Sequence, residues 1–181
     1  NQNFSENILM VSVELCSLHL QTEPTRDNIL ANMIFADGAA AAYFSITNIS
    51  NKKKLAIQLA ESFLFQDSAK FMGWKIGNNG FEMMLSSELP KIILNSAAPR
   101  AKEILVQKGI DISAIKHWAL HPGGRAILDS LQNGLELSDE QLKPSREVLR
   151  NFGNLSSVSI LFVLKNLLEN GADLNYRDSE G

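Results

Sequence analysis

Cysteine is almost absent from the sequence, and this scarcity excludes several classes of protein. Cys16 is the only cysteine among 181 residues, so no disulfide can form within the chain. The three histidines and this cysteine are widely spaced and match no zinc-binding pattern. A chain of this length can bury a sizeable core without disulfides or metals. We therefore expect a globular domain with no metal site.

Long apolar runs and basic tracts are also missing. No apolar run approaches the ~20 residues that a membrane helix needs, and no secretory signal is visible. We therefore expect a cytoplasmic protein that does not bind membranes. Lys and Arg together number 17 and Asp and Glu 20, giving a formal net charge of −3. The lysines at 52–54 are typical of a solvated turn, so nucleic-acid binding has little support.

Hydrophobic periodicity in the first third of the chain is mixed. Run 7–20 predicts a strand that becomes irregular near Glu14, and run 27–35 predicts a short helix or turn. Run 35–47 predicts a bend followed by a buried strand. Alternation within 56–65 favours a strand over a helix for 55–65.

From residue 81 onward, strands and helices are predicted to alternate. We expect strands at 81–85 and 115–120. A helix should begin at Ser86-Ser87, kink or break at Pro99 and end near Gly109. Three further helices, ending near Gly134, Gly153 and Gly171, are predicted at 124–135, 144–153 and 154–171. This alternation predicts the α/β class.

The stretch "WALHPGGRAILDSL" (118–131) places His121 where a predicted strand leads into a helix. Ligands in α/β folds tend to bind beyond the carboxyl ends of strands, and two glycines allow a substrate to approach the backbone closely. A histidine there suits acid/base or oxyanion chemistry. The structural alternative is that His121 only ends the strand.

Asn154 has a similar position in "NFGNLSSVS", after a glycine and at the predicted start of a helix. The structural alternative here is a helix N-cap, which asparagine provides well. Together, His121 and Asn154 would supply two hydrogen-bond donors at the beginnings of successive elements.

Three blocks, "IFADGAAA", "HPGGRAILD" and "SREVLRNFGNLSSVSILFVL", resemble the C-terminal half of type III polyketide synthases, the chalcone synthase-like family. The resemblance implies an α/β, thiolase-like fold of two similar halves that works as a homodimer. Residues 1–47 would be the end of the N-terminal half, and 48–181 most of the C-terminal half without its last strands. We accordingly expect the complete protein to extend beyond both ends of this incomplete chain.

The resemblance also implies roles for individual residues. In this family a Cys-His-Asn triad runs the chemistry; His121 and Asn154 match its last two members, and the nucleophilic cysteine would precede Asn1. Phe35 and Phe81 match two phenylalanines between the CoA tunnel and the elongation cavity, although plain core packing is their alternative role. The other positions expected to bind substrate are Glu14, Cys16, His19, Ser156 and Ala126.

The implied reaction condenses an acyl-CoA starter with malonyl-CoA by decarboxylation, and it needs no metal or redox cofactor. The 181-residue chain alone is expected to be inactive, because it lacks the nucleophile. Two alternatives stay open: a condensing enzyme like ketoacyl carrier-protein synthase III, and a non-catalytic thiolase-like interaction domain.

Overall fold

Two antiparallel strands begin the part of the chain that the computed structural model describes, residues 7–45, 55–78 and 80–172. Strand β1 (Asn7–Glu14) pairs with β2 (Gly38–Ser45) along its whole length. A 3-10 turn (Cys16–His19) and helix α1 (Arg26–Ile34) connect them. The predictions for 7–20 and 27–35 are confirmed, and so is the strand within 35–47. That strand is not buried, however, since each of its residues retains some exposure.

A second antiparallel pair, a hairpin, joins β3 (Met72–Gly77) to β4 (Gly80–Leu85). Strand β4 confirms the prediction for 81–85, whereas β3 was not predicted. The strand predicted at 55–65 is wrong, because these residues have no regular structure. Alternating apolar residues form a strand only beside a partner that completes the ladder of hydrogen bonds, and no described strand runs beside this segment.

The helix predicted after Ser86 is continuous past Pro99. It consists of α2 (Leu89–Ile92), a π-helical turn (Ile93–Ala97) and α3 (Ala98–Gln107). Proline has no N–H to donate to the preceding turn, and the wider π turn just before Pro99 accommodates that loss without a break. Gly109 follows the helix with a φ of +70°, as its predicted C-terminal position requires.

The strand predicted at 115–120 is also wrong. These residues form an irregular segment after a 3-10 turn (Ile112–Ala114). A side chain takes the place of a strand partner: the Ser145 hydroxyl accepts from the Leu120 N–H at 3.2 Å and donates to the Leu120 carbonyl at 2.8 Å.

Three helices follow, and each departs from its predicted bounds. They are α4 (Arg125–Leu135), α5 (Asp139–Phe152) and α6 (Ser159–Glu169). Gly134 does not end α4; it lies inside the helix, where a Cβ would collide with Ala98 Cβ. Its small size therefore serves close helix packing, and the left-handed residue after α4 is Glu136.

Helix α5 begins five residues earlier than predicted because of a capping box. The Ser138 hydroxyl accepts from the Gln141 N–H, while the Gln141 side chain accepts from the Ser138 N–H. Pro144 consequently lies inside the helix, and Ser145 is fully buried instead of capping it. The start of the last helix was also wrong: a 3-10 turn (Ser156–Val158) separates Asn154 from α6.

The apolar core lies among the helices. Leu128, Leu142, Val148 and Val163 are at most 1% exposed, and they come from α4, α5 and α6. Every buried apolar residue of the described chain lies at or after Ala98. The two antiparallel strand pairs therefore extend from a helical core that does not include them. The predicted domain boundary at 47/48 lies outside the described residues and stays a prediction.

Candidate functional site

A cleft of about 1230 Å³ lies between the turn after β1, helix α1, the β3–β4 hairpin and the start of α4. All nine residues predicted for the site line this one cleft. They are Glu14, Cys16, His19, Phe35, Phe81, His121, Ala126, Asn154 and Ser156. They come from segments up to 142 positions apart (156 − 14), so the fold brings the predicted set together.

The backbone of Asn154 is attached to the segment around Phe35. Its N–H donates to the Ile34 carbonyl at 2.8 Å, and its carbonyl accepts from the Ala36 N–H at 2.9 Å. These two bonds form an isolated parallel bridge between Phe35 and Asn154. Asn154 is only 3% exposed. It precedes α6 by five residues and does not cap this helix directly; its Oδ1 instead accepts from the backbone at the 3-10 turn that leads into α6.

The Asn154 side chain is held from both ends. Its Oδ1 accepts from the Ser156 N–H at 2.9 Å, and its Nδ2 donates to the Gly123 carbonyl at 3.2 Å. A carboxamide has two N–H donors, and within the described chain Gly123 takes only one of them. The second has no partner among the described residues. The bond to Gly123 also connects Asn154 to the loop of His121, two residues away.

His121 stands at the end of the irregular segment before α4. Pro122 next to it is fully buried, and the Gly123 N–H donates to the His121 carbonyl at 2.9 Å. Gly124 has a φ of +152°, a conformation that suits glycine and lets the chain turn into the helix. Ala126 lies in the first turn of α4, where backbone N–H groups lack partners within the helix.

The His121 ring is partly desolvated although the residue is open to the cleft. Burial by the surrounding protein atoms lowers the pKa of His121 below its ordinary value, and it is the sole cause of the shift. The imidazole is therefore neutral at neutral pH. A neutral imidazole has one N–H to donate and one nitrogen to accept a proton.

Phe81 belongs to a group of three rings on one side of the cleft. His19 lies 5.0 Å from Trp74 and 5.8 Å from Phe81, and the Trp74 and Phe81 centroids are 6.2 Å apart. Phe81 is 48% exposed, so it is not a packed core residue in this chain. Phe35 is half-buried beside the Asn154 bridge.

Glu14 ends β1 and contacts the segment that follows Asn154. Its carboxylate accepts from the Ser157 hydroxyl at 2.5 Å and from the Ser157 N–H at 3.3 Å. The hydroxyl bond is the main reason why the pKa of Glu14 lies below its ordinary value. Next to this pair, Ser156 has a left-handed φ of 52°, which marks a constrained turn at the cleft wall.

The surroundings of Cys16 shift the pKa of its thiol in the direction opposite to that of a reactive cysteine. Burial first, and then the charges of Glu14 and Asp37, raise the pKa of the Cys16 thiol. A nucleophilic cysteine needs a lowered pKa and a positive environment. The geometry therefore fits a cavity-wall position for Cys16 and not a nucleophile.

Sequence patterns did not identify three residues that contribute to this site. Asp37 accepts from the N–H and hydroxyl of Ser17 at 2.7 and 2.6 Å, and Ser157 holds Glu14. Such contacts join distant positions and leave no local pattern. Trp74 was detectable in principle, because apolar residues at 72, 74 and 76 alternate as in a half-buried strand.

The described residues also bear on metal binding and on membrane insertion. Within 7–45, 55–78 and 80–172, no group of three or more His, Cys, Asp or Glu side chains could hold a metal ion. None of the helices in these ranges is long and apolar enough to cross a membrane.

Comparison with known proteins gives the same assignment over most of the chain. Residues 56–181 match the family "Chalcone and stilbene synthases, C-terminal domain". The chain is 32% identical over 164 residues to the alpha-pyrone synthesis polyketide synthase-like Pks18 of Mycobacterium tuberculosis, covering 89% of this chain and 42% of that protein.

Two solved structures share the fold. The first is PKS-I of the brown alga Ectocarpus siliculosus, with a TM-score of 0.83 and 34% identity, covering 91% of this chain and 44% of that one. The second is the 1,3,6,8-tetrahydroxynaphthalene synthase of Streptomyces coelicolor A3(2), a bacterial type III polyketide synthase. It has a TM-score of 0.84 and 30% identity, covering 91% and 47%.

The chain thus spans about half the length of the curated relatives it matches. Its α/β elements have the thiolase-like arrangement of these synthases, as predicted. The match over more than two thirds of the chain and the shared fold lead to one assignment. The chain belongs to the chalcone and stilbene synthase family, the type III polyketide synthases, and corresponds to the C-terminal portion of its members.

Proposed function

We propose that the complete protein is an acyltransferase that condenses an acyl-CoA starter with malonyl-CoA by decarboxylative Claisen condensation. The observation that carries this proposal is the pairing of His121 and Asn154 at one cleft. They are 33 positions apart in sequence, yet a hydrogen bond from Asn154 Nδ2 to the Gly123 carbonyl holds their two segments together. Neither a strand end nor a helix cap requires this convergence.

The two side chains would act on the thioester carbonyl of malonyl-CoA. The free N–H of Asn154 and the imidazole N–H of His121 would donate to that oxygen. When carbon dioxide leaves, the electron pair of the broken C–C bond forms an enolate, and negative charge develops on the same oxygen. Donors fixed in advance at such an oxygen contribute about 3 kcal/mol each to transition-state stabilisation. The carboxylate supplies the carbanion by its departure, so the proposal includes no metal or redox cofactor.

The acyl chain would be carried by a cysteine outside these 181 residues. A neutral His121 can accept a thiol proton, and the resulting thiolate would in turn favour the imidazolium form. The raised pKa of Cys16 argues against that residue as the carrier. We therefore propose that the 181-residue chain alone is inactive. From the family resemblance, we also propose that the complete protein is a cytoplasmic homodimer.

The test is to incubate the complete protein with malonyl-CoA and a panel of acyl-CoA starters, and to identify products by mass spectrometry. We expect carbon dioxide release and extended products. His121→Ala and Asn154→Asp should each lower decarboxylation about 100-fold or more. Asn154→Asp is informative because it keeps the acceptor for Ser156 while it removes the Nδ2 donors.

The matched control is His117→Ala, an exposed histidine that does not line the cleft. It should decarboxylate malonyl-CoA at the unmodified rate. Cys16→Ala should still form a covalent acyl-enzyme, detected by intact mass. Loss of the acyl-enzyme on Cys16→Ala, or full decarboxylation by Asn154→Asp, would refute the proposed roles.

A further inference from the structure

Strand β4 is held at both of its ends by side chains that precede or begin helix α1. Gln21 Nε2 donates to the Phe81 carbonyl at 3.0 Å. At the other end, the Leu85 N–H donates to Asp27 Oδ2 at 3.2 Å, and the Leu85 carbonyl accepts from Arg26 Nη1 at 3.4 Å. In the described part of the chain, no other hydrogen bond joins the β3–β4 hairpin to another element. Because the hairpin adds no residue to the buried core, its position depends on these bonds and on ring contacts.

Gln21 is itself held by the side chain of Asn32. Asn32 Nδ2 donates to the Gln21 carbonyl at 2.8 Å, and Asn32 Oδ1 accepts from the Gln21 N–H at 3.4 Å. The carboxamide, with a donor and an acceptor side by side, thus pairs with both backbone groups of one residue. These bonds form a chain of contacts from α1 through Asn32 and Gln21 to the Phe81 carbonyl, called here the Asn32–Gln21 relay.

Helix α1 carries both Asp27 and Asn32, and its last residue is attached to the candidate site. The Ile34 carbonyl accepts from the Asn154 N–H at 2.8 Å. Asp27 and Ile34 lie about 10 Å apart along the helix axis, because each residue of an α-helix adds about 1.5 Å. The helix is therefore a spacer of fixed length between β4 and the residue that we propose to hold the malonyl carbonyl.

The strand held in this way turns an apolar face to the cleft. Phe81, Met83 and Leu85 all line it, since side chains two residues apart share one face of a strand. Their side chains offer no hydrogen-bonding group to water. Holding this face over the cleft therefore lowers the amount of water that can enter.

Water matters because the enolate left by decarboxylation has two possible fates. In the condensation, its carbon attacks the acyl thioester carbonyl, a C–C bond forms and the cysteine thiolate leaves. In the side reaction, the same carbon takes a proton from water, which gives acetyl-CoA and hydroxide. Excluding water from the cleft suppresses the side reaction without changing the condensation step.

We propose that Gln21, Asn32 and Asp27 are positioning residues for the condensation. They hold the apolar face of β4 over the cleft and so keep water away from the enolate. They act through β4 and not on the reacting atoms. This inference rests on the proposed function, because that reaction supplies the enolate.

The first test uses the complete protein with malonyl-CoA and an acyl-CoA starter. Acetyl-CoA formed per carbon dioxide released is measured by mass spectrometry. Gln21→Glu removes the donor to Phe81 at the same size, and we expect this ratio to rise about two- to tenfold, the range that one net hydrogen bond is worth. The rate of carbon dioxide release should stay close to the original, whereas a merely structural loss would lower it. Gln21→Lys keeps an N–H donor and should recover most of the original ratio.

Two further variants make this test specific. Gln107→Glu makes the same charge change at an exposed residue that does not line the cleft, and it should keep the original ratio. Asn32→Ala should raise acetyl-CoA formation as Gln21→Glu does. The double variant should be no worse than the more affected single variant, because both changes break one relay. Additive effects of the two changes would overturn the relay.

A second readout does not depend on turnover. Hydrogen exchange of residues 72–85 in the complete protein, followed by mass spectrometry, reports how firmly the hairpin is held. We expect Gln21→Glu and Asp27→Ala each to speed this exchange about two- to tenfold. Gln107→Glu should leave it unchanged.

The outcomes separate this inference from the proposed function. Unchanged exchange in Gln21→Glu and Asp27→Ala would overturn the holding of β4. Faster exchange with an unchanged acetyl-CoA ratio, or a raised ratio without recovery in Gln21→Lys, would overturn the positioning role in condensation. If the unmodified protein released no carbon dioxide from malonyl-CoA, the proposed function would fail, and the exchange rates would still decide whether these residues hold β4.

Discussion

The helical region from Ala98 to Ala172 and the hairpin region before it have opposite distributions of apolar side chains. In the helical region, Leu128, Leu142 and Val163 have no exposed surface. In β1, Leu9, Val11 and Val13 are each 60% or more exposed. Sequence composition does not distinguish the two regions, since both are rich in apolar residues. Within this chain, which spans about half the length of the relatives it matches, the apolar residues of the helices form the buried core, whereas many of those in the strand pairs line the cleft or are exposed.

The largest loss of stability should come from a cavity in the helical region. Leu128→Ala should lower the free energy of unfolding by about 2–5 kcal/mol, because a fully buried side chain leaves a void. Val13→Ala, at a residue that is 60% exposed, should change it by about 0.5 kcal/mol or less. Urea unfolding monitored by circular dichroism measures both. Equal losses for the two variants would show that the hairpin region contributes equally to the core.

A smaller effect is expected from overpacking the contact between α3 and α4. Gly134→Ala should cost about 1–3 kcal/mol, since its Cβ collides with Ala98 Cβ. The same change in an Ala98→Gly background should cost much less, because the collision is removed. A double-mutant cycle by urea unfolding measures this coupling. Additive losses would contradict the proposed close packing.

The free energy of unfolding should depend on pH through His121, which lies at the cleft edge of the helical region. Its pKa is lower in the folded chain than in the unfolded chain, so the unfolded chain binds the proton at higher pH. Stability should therefore fall as the pH drops below the ordinary value of about 6.5, and level off below the folded pKa. His121→Gln should remove part of this slope between pH 7 and 5. An unchanged slope would show that burial of His121 has no part in it.

The smallest expected effect is on the hairpin side, at Glu14. The Ser157 hydroxyl holds the pKa of Glu14 below its ordinary value, so the stabilisation is present above that value and is lost as pH falls through the folded pKa. Ser157→Ala should raise the pKa of Glu14, followed by NMR of its carboxyl carbon. Ser113→Ala, which removes a bond to Asp111 elsewhere, is the control and should leave Glu14 unchanged.

Sequence periodicity correctly predicted the helices and strands whose signals lie within a few consecutive residues. The helix 27–35 was found because its apolar residues recur at helical spacing, and β1 because its apolar run becomes irregular near Glu14. The strands at 55–65 and 115–120 were wrong because strand formation depends on a partner. In the second case Ser145, 25 positions away from Leu120, supplies the hydrogen bonds instead. The start of α5 was missed because Pro144 was read as a boundary, whereas the capping box lies at Ser138.

For the site, the motifs pointed to residues that line one cleft, but only the fold shows how they are held. The bond from Asn154 to Gly123 and the pair Glu14–Ser157 join positions 31 and 143 residues apart, which no spacing rule could predict. Trp74 was not assigned to the site because its role depends on the register of β3 against β4. Distances between rings follow from tertiary packing, which short-range periodicity does not determine.

The parallel bridge between Phe35 and Asn154 has a consequence for how the effects of mutations at these two positions combine. Backbone hydrogen bonds join Asn154 to the residues on both sides of Phe35, so we expect a substitution that shifts the backbone at Phe35 to shift Asn154 as well. Changes that enlarge the cleft at Phe35 should therefore also shift the carboxamide proposed to hold the malonyl carbonyl. Mutations at Phe35 that change the substrate range would then also change the reaction rate. Such mutations would be retained in evolution only together with compensating mutations near Asn154.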